Sequence, residues 1–214
     1  MPWKNYSLIF SLLLTVVSTS SGLETLSLLD EGRARLLLEK KNPIQADVKG
    51  RIAVSFDTML GLYESPSMLL RIQQIYRDYV VGPEGVEFEV VEVRSNFYAY
   101  VNRNEERTII EECCRLKPNE DQFDLVLYTE GKRFFGAYEA VIHVQLERGL
   151  NQSLYQATVY AYPRNGLSRF FGRYLGLIER FFKQKTAEME SLTVEVAQYM
   201  SFPAKKEKTA VFVN

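Results

Sequence analysis

The sequence predicts an α+β domain, a curved antiparallel sheet of five to seven strands packed on one long C-terminal helix. Three observations lead there. From Val86 onward, apolar residues recur with a period of two, the spacing that puts alternate side chains on one face of a strand. The segments so patterned are joined by short polar stretches, which suit hairpins rather than the long crossovers that parallel strands require. Ser168 to Met200 then returns to helical spacing with a broad apolar arc, and such a helix needs a large apolar surface to lie against.

The elements follow in order. Met1 to Asn5 carry Lys4, Tyr6 to Val17 is apolar, and Ser18 to Gly22 is small. That is the layout of a secretory signal peptide, too short for the ~20 residues of a membrane-spanning helix. We therefore expect residues 1–22 to be a leader cleaved near residues 20–22, with an uncleaved anchor as the alternative. Residues 23–203 form a single domain and residues 204–214 a tail, with export to the periplasm or medium. Leu23 to Lys41 reads as a short helix that stops before Asn42-Pro43. Val48 to Phe56 reads as a strand, and Ser65-Pro66 opens a helix through Tyr79 that Gly82 to Gly85 break. Strands are expected over Val86–Val93, Phe97–Val101, Arg107–Leu116, Phe123–Tyr128, Arg133–Leu146 and Leu154–Tyr162, with Glu130-Gly131-Lys132 among the turns. Ala210 to Val213 is a candidate last strand.

Composition narrows the function. With 46% hydrophobic and 25% charged residues and a net charge of −1, the chain is an ordinary globular protein. It lacks the basic excess of a nucleic-acid binder. Cys113 and Cys114 are adjacent. Neighbours on a strand point to opposite faces, so two free thiols are expected, one inward and one outward. The single histidine, His143, lies opposite Ile142, Val144 and Leu146 on its strand, facing water or a polar cavity wall. No nucleophile motif accompanies it, and one histidine with two adjacent cysteines does not make a zinc site. Glu111 and Glu112 are expected on opposite faces as solvated carboxylates. No catalytic residue, metal or cofactor is expected.

Two features suggest binding. Tyrosine and phenylalanine number 13 each. Tyr98 and Tyr100 share one strand face, as do Tyr160 and Tyr162. Aromatic strands are good core, and an aromatic wall with hydroxyl tips is also how a small apolar pocket orients a ligand. On the terminal helix, about 33 residues or 50 Å if continuous, Arg169, Arg173, Gly176 and Arg180 form a stripe with Lys183 beside it. Phe171, Tyr174, Leu175, Ile178 and Phe182 lie opposite. The arginines are either the solvated back of a core helix or, with Arg164, a surface for anionic headgroups or a protein partner.

The order of elements over residues 48–200, and the strand Thr158-Val159-Tyr160-Ala161-Tyr162-Pro163 running into the helix, resemble the helix-grip architecture of START-like proteins. The chain also resembles small exported bacterial families without an assigned activity. The helix-grip resemblance implies an apolar cavity between the bent sheet and the C-terminal helix. The expected function is then non-enzymatic binding of an apolar or amphiphilic small molecule, lipid included. Its expected pocket comprises Tyr98, Tyr100, His143, Tyr160, Tyr162, Ile178 and Phe182. The alternative is an envelope-associated interaction module contacting a protein or an anionic membrane through Arg164, Arg169, Arg173, Arg180 and Lys183.

Overall fold

The computed structural model describes residues 32–40, 42–82, 88–102, 105–165 and 176–201. The expected leader, the expected tail and the candidate strand Ala210–Val213 lie outside them. Seven strands form one antiparallel sheet in the order β1-β7-β6-β5-β4-β3-β2. They are β1 (Ile44–Ile52), β2 (Phe88–Arg94), β3 (Phe97–Asn102), β4 (Arg107–Asn119), β5 (Gln122–Arg133), β6 (Gly136–Gly149) and β7 (Gln152–Pro163). Helix α1 (Arg33–Leu38) precedes β1. Helices α2 (Phe56–Tyr63) and α3 (Met68–Ile75), with a π-turn over Tyr76–Val81, carry the chain from one sheet edge to the other, and α4 (Leu177–Ser201) closes the order. This is the helix-grip arrangement.

Helix α2 corrects the expectation of a strand running to Phe56. Phe56, Met59, Leu60 and Tyr63 stand at helical spacing, and the Ser55 hydroxyl accepts from the Thr58 N–H at 3.3 Å as an N-cap. The long helix is corrected too. Gly176 has φ +62° and Leu177 is the first helical residue. A residue in the left-handed region does not continue an α-helix, so α4 has 25 residues, about 37 Å. Strand β5 runs through Glu130-Gly131-Lys132 to Arg133, and Phe134-Phe135 makes the turn instead.

The hairpins hold register with few breaks. Bulges between Glu92 and Arg94, Glu112 and Cys114, and Leu116 and Asn119 bend the sheet. One places Cys113 and Cys114 against the same cluster as Tyr128 and Val141, so the expected one-in, one-out arrangement gives way. Neither forms a disulfide among the described residues, and burial, with Glu111 next, pushes the Cys113 thiol up to about 12. The outer edge of β2 is capped where the Val90 N–H donates to the Gln73 Oε1 of α3, which blunts pairing with another strand.

Each face of the sheet has its own cover. On one, Ala34 and Leu37 of α1 pack on Val126, Tyr128, Val141 and Tyr162. Around this cover, Glu130 and Glu139 sit opposite each other in register. Their repulsion is relieved by Arg164 (3.0 and 3.5 Å), by Arg33 and Lys40, and by the Tyr128 hydroxyl, which donates to both. The other face takes α2, α3 and α4. There β1 gives way to a large neighbour. A Cβ at Gly50 would lie 2.9 Å from Tyr155 Cε1, because that ring crosses the glycine toward Glu190 of α4. The packing of α4 on β1 thus needs glycine at this position.

Two outcomes follow. Gly50→Ala displaces the Tyr155 ring and lowers stability by about 1–3 kcal/mol in urea unfolding. The loss shrinks in a Tyr155→Leu background if the ring is the cause. Burial raises the Glu139 carboxyl, but Tyr128, Lys40 and Arg164 outweigh it and hold it below its ordinary value. A depressed carboxylate stabilises the fold above its unfolded value, and that contribution is lost as pH falls through the folded one. Glu139→Gln therefore flattens the decline of melting temperature with pH below about 4.5; an unaltered decline would remove this network from the account.

Candidate functional site

The helix-facing side of the sheet carries two separate apolar clusters. One gathers Tyr98, Phe123, Leu125, Leu127 and Leu146 with Val196 and Ala197 of α4. The other gathers Ala140, Val159, Ala161, Phe135 and Tyr138 with Ile178 and Phe182, nearer the start of α4. Ile142 of β6 touches both. Strand β6 has β5 on one side and β7 on the other, so exposure on it cannot come from a sheet edge. Yet Ile142 and Val144 are only half-buried, whereas Val159 and Leu125 beside them are 1% exposed.

The reason lies in α4. Its sheet-side stripe continues from Phe182 through Thr186 and Met189 to Thr193 and Val196, following the i+3/i+4 spacing of a helix face. Thr186 and Thr193 return their hydroxyls to the carbonyls of Phe182 and Met189, each at 2.8 Å. Met189 is 40% exposed. Between its two buried ends the sheet-side positions of the helix are thus taken by Thr186 and the exposed Met189, with Leu192 only partly buried against the first cluster. Ile142 and Val144 are left as an apolar floor that solvent reaches.

One side of this floor is polar. Glu112 pairs in register with Leu127, and Arg115 with Leu125. The Arg115 guanidinium donates from Nε and Nη2 to the Glu112 carboxylate, the latter at 2.8 Å, and from Nη1 to the Ser65 carbonyl at 3.1 Å. Glu112 is only 6% exposed in its side chain, which corrects the expectation of a solvated carboxylate. The Ser67 hydroxyl, at a residue with φ +48°, donates to Glu92 at 3.0 Å. Next to these groups the Tyr98 ring is fully buried, and its hydroxyl has no hydrogen-bond partner among the described residues. Burial, then the charges of Glu112 and Glu92, raise the Tyr98 phenol, with Ser67 and Arg115 opposing. Nothing in the sequence pattern marked Glu112 and Arg115. Their common orientation depends on the bulge that follows Glu112.

The seven expected pocket residues do not form one wall. Tyr98 and Tyr100 belong to the first helix-side cluster, and Ile178 and Phe182 to the second. His143, Tyr160 and Tyr162 lie on the other face of the sheet, away from α4. Strand alternation puts His143 with Val141, and Tyr160 and Tyr162 pack with the α1 cluster. His143 Nε2 bonds to Asp124 Oδ1 at 2.8 Å, both buried, so the ring serves that cover. Burial raises both tyrosines, Asp47 adding to Tyr160 and Tyr160 to Tyr162. Of the basic stripe, Arg169 and Arg173 lie outside the described residues. Arg164 is engaged by Glu130 and Glu139, and Lys183 by Glu179 at 2.7 Å. Arg180 is exposed. Among the described residues, no three His, Cys, Asp or Glu side chains are placed to hold a metal. Two open surface depressions lie apart from the floor. One, of about 440 Å³, is lined by Asn119 to Gln122, Glu147 and Arg148, and the other, of about 380 Å³, lies between α4 and Arg51 to Ala53.

No protein-family model matches the chain, and no curated protein matches it. Solved structures do. A conserved protein of Geobacillus kaustophilus has 13% identity and a TM-score of 0.48, over 73% of this chain and 97% of that one. A hypothetical protein of Helicobacter pylori has 6% identity and a TM-score of 0.49, over 76% and 93%. Norcoclaurine synthase of Thalictrum flavum, solved with dopamine and hydroxybenzaldehyde, has 13% identity and a TM-score of 0.46, over 80% and 95%.

The Glu112–Arg115 pair makes a direct stability test. Arg115→Met leaves a buried carboxylate without its cation and is expected to cost about 3–5 kcal/mol in denaturant unfolding. Replacing both, Arg115→Met with Glu112→Leu, recovers most of the loss. A single variant as stable as the parent would mean that Glu112 is solvated after all.

Proposed function

We propose that this protein is a non-enzymatic, exported binder of an apolar or amphiphilic small molecule, lipid included, held between the sheet and α4. The observation that carries the reading is the half-buried pair Ile142 and Val144 at the middle of the sheet, between two clusters that α4 seals. A central strand normally buries such side chains, and a partly exposed apolar floor favours an apolar occupant.

The polar side gives direction to the bound molecule. Tyr98 brings a buried hydroxyl without a partner, and a guanidinium has five N–H donors, of which the bonds to Glu112 and Ser65 use three. A head group that accepts hydrogen bonds would meet these donors while its apolar body lies on Ile142. The reading as a binder rather than a catalyst rests on His143, whose ring is buried against Asp124 on the far face. Export rests on the charged, apolar and small order of residues 1–22.

Titration with dansyl-undecanoic acid, followed by dansyl emission, tests the floor. Ile142→Trp fills the gap and weakens binding by about tenfold or more, equivalent to about 1.4 kcal/mol. Tyr160→Phe, on the opposite face, leaves the titration unchanged. If Ile142→Trp binds the probe as the parent does, the floor is not the site.

A further inference from the structure

The turn between β5 and β6 is built from Phe134 and Phe135, and the two behave differently. Phe135 is buried against Tyr138, Phe181 and Phe182. Phe134 is 72% exposed. It is nonetheless held firmly, edge-on to Phe135 at 5.0 Å and to Phe181 at 6.0 Å. Leu177, one helical turn before Phe181, is also exposed, at 44%. A large aromatic side chain projects from a packed aromatic platform, a shape suited to insertion rather than to receiving a ligand.

The charges around this knob are uneven. Carboxylates near it are already engaged. Glu106 is bonded by Asn102 and faces Arg133 at 3.8 Å, Glu130 and Glu139 are held by Arg164, and Glu179 is held by Lys183. Lys132 and Arg180 are exposed and have no acidic partner among the described residues. Lys132 and Arg180 thus stand beside the knob as unpaired positive charges, while exposed Glu105 lies farther along this end, in the β3–β4 turn. Leu150, 91% exposed in the β6–β7 turn at the other end of β6, lacks such a setting, with Glu120, Asp121 and Glu147 lining the depression beside that turn.

We propose that the Phe134 turn docks on an anionic lipid bilayer. Phe134 enters the boundary between head groups and acyl chains, Leu177 rests beside it, and Lys132 and Arg180 meet the lipid phosphates. Aromatic side chains favour that boundary, and basic residues near an anionic surface add to the attraction. This inference does not depend on ligand binding at Ile142.

The test uses the full chain, whose only tryptophan, Trp3, is replaced by phenylalanine, with Phe134→Trp or Leu150→Trp as reporter. Vesicles containing phosphatidylglycerol are compared with phosphatidylcholine alone, with and without brominated acyl chains. The expected result is a blue shift and bromine quenching at position 134 on the anionic vesicles only, with position 150 silent. Adding Lys132→Glu and Arg180→Glu lowers partitioning about tenfold or more. A silent reporter at 134 overturns the proposal. So does equal quenching at 134 and 150, which would signal attachment through the apolar N-terminal segment. A blue shift at 134 that grows with protein concentration without vesicles would assign the knob to a second copy of the chain and also overturn it.

Discussion

The structure depends on one constraint: a sheet with buried central strands must be covered on both faces. Strands β5, β6 and β7 carry buried side chains on both faces, so neither face can be left to water. Helix α1 covers part of one with Ala34 and Leu37. Helix α4 covers the other, but by its two ends, through Ile178 with Phe182 and through Val196 with Ala197. Burying Ile178, Phe182 or Val196 contributes about 1.5–3 kcal/mol each. That anchors the helix, while the stretch carrying Thr186 and Met189 adds little to the seal.

The same constraint accounts for the polar groups. Buried and half-buried carboxylates are tolerated when paired and hydrogen-bonded, and three have their counterparts here: Glu112 with Arg115, Asp124 with His143, and half-buried Glu139 with Arg164 and Lys40. The first lies beside the apolar floor and the other two belong to the opposite face. The Tyr98 hydroxyl is the exception among the described residues, buried without a bond. Such a group is costly to leave unmet, and its position beside Glu112 and Arg115 gives the floor its polar side.

Much of the architecture was legible before any coordinates. The period of two from Val86 and the short polar joints are enough for an antiparallel meander, because hairpins are local and alternation follows directly from strand geometry. Helix α2 was missed although Ser55, Phe56, Met59 and Leu60 carry a cap and a helical pattern; the alternation through Phe56 competed with it over too few residues. Alternation also sets His143, Tyr160 and Tyr162 against Ile142, Val159 and Ala161. Grouping them with Tyr98 and Ile178 crossed the sheet, since tyrosine content does not reveal which face a strand turns to the helix.

Spacings of a few residues along the chain are enough for the class of fold, the hairpin order and, away from the bulges, which side chains share a face. Tertiary contacts decided which face α4 covers, and that its most buried contacts on that face lie toward its two ends. They also decided that the bulge after Glu112 aligns this carboxylate with Arg115, and that Phe134 stands on the rings of Phe135 and Phe181. These outcomes depend on contacts between segments far apart in sequence. Helix position, strand curvature and ring packing are settled there by the volume each side chain fills.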